Sequence, residues 1–383
     1  MSNKKPPLKI VGEHDQKTIS QMYNCMSHGN AVAGALCADG HLGYSQPVGG
    51  AIAYEGQISV SGVGYDIGCG NLAVKLDAKE SDFTQDDLNR IADDIEKKIS
   101  FGMGRKNSER VDHDLFDSDL WKNGEVGDLK ELARDQLGTV GSGNHYVDVF
   151  ADEVGYIWIG VHFGSRGLGH KTATRYLALA LGEVGIDAAP ALLDEKSGLG
   201  EAYIAAMTLA GEYAKAGRWW VVNKVRQIIG CEAGLLESVH NHHNFAWQEE
   251  IGGRKLWVVR KGCTPAYPEQ FGFVGGSMGD NAAIIVGRNS ENADSLLFST
   301  IHGAGRVCGR NEAKRRFTKE EMAAWLKAKN VILRGGDIDE SPMAYRRLDD
   351  VLAYHDDSID VLHRLKPLVV VMAGSRIKDH YRD

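Results

Sequence analysis

An α+β fold in one catalytic domain is the architecture this sequence predicts, and three observations carry it. Helix-period stretches and short strand-like runs are both present. They follow one another without the regular strand-helix-strand alternation that builds a doubly wound parallel sheet. The residues with metal-ligand or nucleophile chemistry are scattered from Asp39 to His302, so the segments bearing them must converge in one folded unit. The chain of 383 residues is 43% apolar and 25% charged, enough for an ordinary packed core without disulfides or other staples.

Taken in order, Asp82 to Ser100 places Leu88, Ile91, Ile95 and Ile99 at three- and four-residue spacings, an amphipathic helix. Residues 102–128 are polar and irregular and read as a surface loop or flap. Gly155 to Val161 reads as a strand, and Gly198 to Ile229 as a long, largely buried helical region. Leu256 to Val259, Ala283 to Val286 and Pro367 to Met372 are further strand runs bounded by turn residues. Thr318 and Glu321 form a capping box opening a helix that contains Met322 and Leu326. Asp349 is expected to cap another helix running through Leu362.

The formal net charge is −8, which argues against a uniformly basic nucleic-acid-coating protein. One local cluster, Arg306, Arg310, Lys314, Arg315 and Arg316, is either a phosphate-binding patch or a solvated helix face. The N-terminal Met1-Ser2-Asn3-Lys4-Lys5-Pro6-Pro7 precedes no signal-type apolar core, and no apolar run is long enough for a bilayer. A cytoplasmic protein with no membrane partner is expected. Its six cysteines lack framework spacing and should be thiols.

Five segments carry chemistry. In Asp66-Ile67-Gly68-Cys69-Gly70, a carboxylate and a thiol could meet one borderline-soft divalent ion across a tight turn; the alternative is a glycine-rich turn with a buried thiol. His145, in Gly143-Asn144-His145, and His162, at a strand end, could complete that coordination, or be hydrogen-bonded structure. His240, His242 and His243 form a dense run, of which one or two could bind metal. The set Asp66, Cys69, His145, His162 and His243 is one too many for a closed structural zinc, but it fits two ions sharing the thiolate. In His302-Gly303-Ala304-Gly305-Arg306, glycine-flanked N–H groups could cradle phosphate around a nucleophilic histidine, or form a strained loop with a structural one.

These segments, with Asp39-Gly40-His41-Leu42-Gly43, Gly164-Ser165-Arg166-Gly167-Leu168-Gly169, Arg260-Lys261-Gly262 and Gly276-Ser277-Met278-Gly279, occur in the order found in RtcB RNA ligases. The chain resembles that family over nearly its whole length. The resemblance implies a single RtcB-like catalytic domain over 1–383, with mixed and antiparallel sheets and helices around a central metal cleft. It implies two Mn²⁺ ions on Asp66, Cys69, His145, His162 and His243, with Cys69 bridging, and His302 guanylylated by GTP with Asp39 orienting it. Nucleotide contacts would come from Asn144, Asp148, Asn244, Gly275, Gly276, Ser277, Met278, Ala282, Gly303, Ala304, Gly305 and Ala373. Phosphate contacts would come from Arg166, Arg306 and Arg310.

The implied reaction joins an RNA 3′-phosphate or 2′,3′-cyclic phosphate to a 5′-hydroxyl, in RNA repair or tRNA splicing, with an archease-like activator as an expected partner. Three positions depart from the family pattern at the wall expected to read guanine. Asp148 replaces a glutamate, Ala282 a serine, and Ala373-Gly374 a lysine-glycine end, after which residues 375–383 run on as an extension containing Lys378. Missing hydrogen-bond partners would redirect base choice, for example to ATP. A metal-dependent phosphodiesterase and a protein that binds RNA ends without turnover are the other functions compatible with these residues.

Overall fold

A computed structural model describes residues 5–183 and 185–374. The extension at 375–383, with Lys378, lies outside the described residues. Two large sheets organise the chain. The first has five strands in the order Leu8–Ile10, Ala31–His41, Val48–Tyr54, Arg254–Lys261 and Asn244–Ile251. Only its first pair is parallel.

The second sheet runs Phe271–Val274, Ala282–Gly287, Ile359–Gly374, Tyr146–Ala151, Tyr156–Phe163, Gly70–Lys79 and Leu235–His242, and Ile332–Gly336 adds parallel to Ile359–Gly374. This is the α+β arrangement expected, mostly antiparallel and without strand-helix-strand alternation. No helix among the described residues is long and apolar enough to cross a membrane.

The helix Gly198–Ile229 has the length its sequence indicates, from the Ser197 cap to a left-handed Gly230. Its first half buries Tyr203, Met207, Ala210 and Tyr213 in one core, and its second half buries Val221, Val222 and Val225 against Leu72, Val74, Ile159 and Val161 in another. Arg218 lies between the two. The helix Gln85–Lys98 buries Leu88, Ile91 and Ile95 as their spacing requires, and Thr84 and Asp87 cap it reciprocally. Thr318 and Glu321 make the expected capping box, with the Thr318 N–H donating to Glu321 Oε2 at 2.8 Å and the Glu321 N–H to Thr318 Oγ1 at 3.2 Å. Such caps contribute roughly 1 kcal/mol each.

Two expectations fail. Asp349 caps nothing: the helix is only Leu348–Ala353, its cap position is Arg347, and the Asp349 carboxylate accepts from Arg364 Nε at 2.9 Å. Leu362 belongs to the strand Ile359–Gly374, whose first residues alternate between buried and exposed, a period of two that helix-directed reading of Ile359 and Leu362 overlooks. Residues 102–128 are not simply a polar flap. They contain three short 3₁₀ turns, and Leu115, Phe116, Trp121 and Val126 insert into the core shared with the long helix. Four apolar anchors outweigh the polar residues between them, at about 1.5–3 kcal/mol per large side chain buried.

Candidate metal centre and nucleophile

The site forms where strand ends meet. Gly70 pairs with both Phe163 and His242, and His162 faces Asn71 on one side and Tyr146 on the other. That register brings together the turn 66–69, the end of Tyr156–Phe163, the residue before Tyr146–Ala151 and the link between Leu235–His242 and Asn244–Ile251. Five expected ligands therefore converge. Asp66, Cys69 and His145 present ligand atoms within 4.8 Å of one another, as do Cys69, His162 and His243. Cys69 alone belongs to both triads.

The turn is closed by the Cys69 N–H donating to the Asp66 carbonyl at 3.0 Å. Gly68 adopts φ 70° there, and a Cβ would sit 3.0 Å from Gly211 Cα, so the approach of the long helix requires glycine. Cys69 Sγ lies 3.4 Å from His162 Nε2 and 3.6 Å from His145 Nε2, and His145 Nε2 lies 3.1 Å from Asp66 Oδ2.

His162 Nδ1 lies 3.0 Å from the Asn144 carbonyl. A proton held on Nδ1 by that carbonyl leaves the Nε2 lone pair facing Cys69, the usual outer support of a metal-bound imidazole. Burial, reinforced by the neighbouring imidazoles, pushes His162 and His243 well below the ordinary histidine range, so both present lone pairs. For Asp66, burial works upward, but the hydrogen bond and charge of His145 and the charge of Arg166 outweigh it and take the carboxyl down to about 2. His243 Nδ1 is buried without a hydrogen-bond partner, an expense that a bound cation or ligand could offset. One carboxylate, one thiol and three imidazoles fit a borderline-soft divalent ion.

Beside the cluster stands the Asp39–His302 pair. His302 follows the strand Ser299–Ile301, and its ring centroid is 4.8 Å from that of His243. Asp39 Oδ2 lies 2.6 Å from His302 Nδ1 and also accepts from the N–H groups of His302 at 3.0 Å and Gly303 at 3.4 Å. Those two N–H groups are thus turned to the carboxylate rather than to a phosphate, contrary to the cradle expected from the glycines. Burial would raise the Asp39 carboxyl, yet the charge and hydrogen bonds of His302 hold it below its ordinary value. Gly305, at φ 74°, packs so closely that a Cβ would lie 2.5 Å from the Asp39 carbonyl oxygen.

Of the expected nucleotide contacts, Gly275 forms a bridge with Gly303, which brings the 275–278 turn to the His302 loop. Ser277 Oγ instead donates to Asp280 Oδ2 at 3.2 Å. Asn244 ties the loops together, its Oδ1 accepting from the Gly262 N–H at 2.8 Å. Ala304 is buried in the core beneath the loop. Asp148, two residues from both Tyr146 and Phe150 on one strand, shares their face, which packs with Met278, Ala282 and Val370. Burial raises its carboxyl well above the ordinary range, and its Oδ1 has no hydrogen-bond partner among the described residues. Ala373 is not brought to that wall: it packs in the opposite core with Val147 and Val371.

The arginines behave differently from expectation. Arg310 reaches the loop before His145, where a Cβ on Gly143 would lie 3.1 Å from its Nη2, but its Nη1 is bound to Glu340 and lies 3.3 Å from Asp339. Arg306 donates to the Asp339 carbonyl at 2.7 Å and the Tyr345 hydroxyl at 2.8 Å, with Glu340 at 3.4 Å. Lys314 pairs with Asp337 at 3.2 Å, and Arg316 with Glu312 on its own helix. The basic cluster therefore divides: an acidic segment engages Arg306, Arg310 and Lys314, while Arg315 and Arg316 lie exposed on the helix face. Arg166, at φ 55°, donates to Gly102 and Thr139 beside the Asp66 triad.

Sequence reasoning missed that acidic segment and Arg218. The segment was readable as Asp337-Ile338-Asp339-Glu340, a run of opposite sign to 306–316. Arg218 was readable as a charge among apolar residues in the long helix.

A histidine held by a buried carboxylate thus stands beside a cluster of oxygen, sulfur and nitrogen donors that could hold a divalent metal, on an α+β scaffold. The chain belongs to the RtcB family: the family described as tRNA-splicing ligase RtcB matches residues 21–373. The RNA-splicing ligase RtcB of Escherichia coli strain K12 is 29% identical across 88% of this chain and 89% of its own. The tRNA-splicing ligases RtcB of Archaeoglobus fulgidus and Pyrobaculum aerophilum are each 31% identical, across 88% and 82% of this chain and 85% and 82% of theirs.

Proposed function

We propose that this protein is an RNA ligase that seals a 3′-phosphate, or an opened 2′,3′-cyclic phosphate, to a 5′-hydroxyl through a guanylylated His302. The observation that carries the reading is the 2.6 Å contact between Asp39 and His302 Nδ1, which fixes the proton there and leaves Nε2 as the nucleophile. The substrate class rests on the names of the relatives. Nε2 attacks the α-phosphorus of GTP, a P–N bond forms and pyrophosphate leaves. The RNA 3′-phosphate then takes GMP, breaking the P–N bond and forming a phosphoanhydride. Finally the 5′-hydroxyl attacks the RNA phosphorus, loses its proton and expels GMP.

Asp66, Cys69, His145, His162 and His243 would hold two Mn²⁺ ions, with Cys69 shared, and these would supply Lewis-acid neutralisation of phosphate charge. Asp39 keeps the imidazole in one tautomer and stabilises the cation that forms as the P–N bond does. Intact mass after incubation with Mn²⁺ and each nucleoside triphosphate in turn tests this. An acid-labile GMP adduct that vanishes in His302→Ala, while metal content persists, is expected. No adduct with any nucleotide would remove the reading.

One observation favours a second reading of the nucleotide. Burial raises the Asp148 carboxyl and so favours its protonated form, which can donate where a longer carboxylate would accept, and Ala282 on that face brings no hydroxyl. An adduct with ATP in preference to GTP in the same experiment would select it.

A further inference from the structure

Among the described residues two arginines, Arg218 and Arg260, are fully buried. Arg260 has a conventional arrangement, its Nη1 2.6 Å and its Nη2 3.0 Å from the two carboxylate oxygens of Glu249. Arg218 has no carboxylate within ion-pair distance among the described residues. Instead its Nη1 donates to the carbonyls of Gly68, at 3.0 Å, and Phe163, and its Nη2 lies 2.9 Å from His240 Nε2. His242 Nδ1 lies 2.8 Å from the same Gly68 carbonyl and 3.0 Å from Arg218 Nη2. A neutral His242 protonated on Nδ1 donates to Gly68, which leaves His240 Nε2 as the acceptor for Arg218.

The two carbonyls are informative. Gly68 immediately precedes Cys69, and Phe163 immediately follows His162, the pair whose Sγ and Nε2 are 3.4 Å apart. One rigid guanidinium fork, projecting from the middle of the long helix, therefore joins the two backbone segments that set this spacing. A buried cation without a counter-ion is costly, and the groups whose negative charge offsets it are the Cys69 sulfur, once it is a thiolate, and the Asp66 carboxylate.

We propose that Arg218 is a positioning residue of the metal centre: it clamps the Cys69 and His162 segments together and supplies the permanent positive charge behind the shared thiolate. The inference rests on the metal-centre reading above. Lysine cannot replace it, because a single ammonium cannot hold two carbonyls and an imidazole in the fork's geometry.

Cobalt titration of the full chain, read by the thiolate-to-cobalt charge-transfer band and by metal stoichiometry, tests it. Arg218→Lys and Arg218→Gln should weaken cobalt binding by about tenfold or more and alter the band, as loss of outer-shell support does. Circular dichroism establishes that each variant folds. His240→Gln, which keeps an acceptor for the guanidinium, should bind like wild type, whereas His240→Leu should bind several-fold more weakly. Wild-type affinity and spectrum in a folded Arg218→Lys would overturn the proposal. If neither Arg218 variant folds, the His240 pair decides: equal binding in Gln and Leu overturns it, and selective loss in Leu supports it. Failure of the wild type itself to bind cobalt would instead overturn the metal centre, and this inference with it.

Discussion

The cluster of candidate metal ligands and the arginine cluster lie side by side, and they are held in opposite ways. Asp66, Cys69, His145, His162 and His243 sit on short side chains at or beside strand ends, so ladder register and turn hydrogen bonds largely determine where their donor atoms fall. Arg306 and Arg310 carry their charge several rotatable bonds from the backbone, and their guanidinium groups have turned to Asp339 and Glu340. One site is made by backbone, the other by the choice of partner among nearby charges. The first is a fixed device; the second can exchange a carboxylate for a phosphate, since both offer a guanidinium the same paired oxygens.

The sharpest way to break that contrast lies at Asp39, which belongs to the fixed side. Asp39→Asn should lower the rate of nucleotide adduct formation by on the order of 10³–10⁴, because an amide favours the wrong imidazole tautomer; a near-normal single-turnover rate by rapid quench would remove Asp39 from its orienting role. Next comes Cys69→Ala. Because both triads share that sulfur, cobalt or manganese affinity should fall at both positions, by about a hundredfold or more, beyond the usual cost of losing outer-shell support. Isothermal titration showing one site lost and one intact would mean the thiol serves a single ion.

On the exchangeable side, Glu340→Gln frees two guanidinium groups from one carboxylate. RNA affinity should rise by roughly three- to tenfold, with a steeper dependence on salt, as more cations become available to phosphates. Fluorescence anisotropy across a potassium chloride series reads both, and an unchanged slope would show that the arginines never meet RNA.

The smallest effect concerns the strand that carries Asp39. The Ala38 N–H donates to His355 Nε2 at 3.1 Å, and burial lowers that imidazole from its ordinary 6.5 to about 4. Its folded pKa lies below the unfolded one, so below about pH 6.5 the unfolded chain binds the extra proton. Stability should therefore decline as pH falls from about 6.5 towards 4. Melting curves should show a shallower decline over this range for His355→Gln than for wild type, and parallel curves would exclude His355 as the source.

The sequence made the fixed device legible for the same reason that it is fixed. Cysteine, histidine and aspartate at or beside strand ends have few places to go once strands pair, and so Asp66, Cys69, His145, His162 and His243 converge as their chemistry suggests. Periodicity likewise revealed the helices around Leu88 and across 198–229. The arginines were legible as a charge pattern but not as a pairing, because the pattern contains no information about which carboxylate folds back onto it. The glycines after His302 were legible as a tight loop, while the direction of their N–H groups was not, since it depends on a carboxylate 263 residues earlier. The helix expected after Asp349 failed for a different reason. A run such as Ile359 to Leu362 satisfies either period over so short a span, and pairing with Ala282–Gly287 decides for the strand.

That long separation between Asp39 and His302 also bears on how the chain acquires its working form. The contact closes a loop of 263 residues in a chain of 383, and such non-local pairings form late because loop entropy must be overcome before the contact repays it. As the chain leaves the ribosome, Asp66, Cys69, His145 and His162 are all available before His243, and His302 comes last. Most of the candidate metal ligands thus emerge well before His302 does. A chain interrupted before residue 302 can hold most of those donors, yet it has no imidazole for Asp39 to orient.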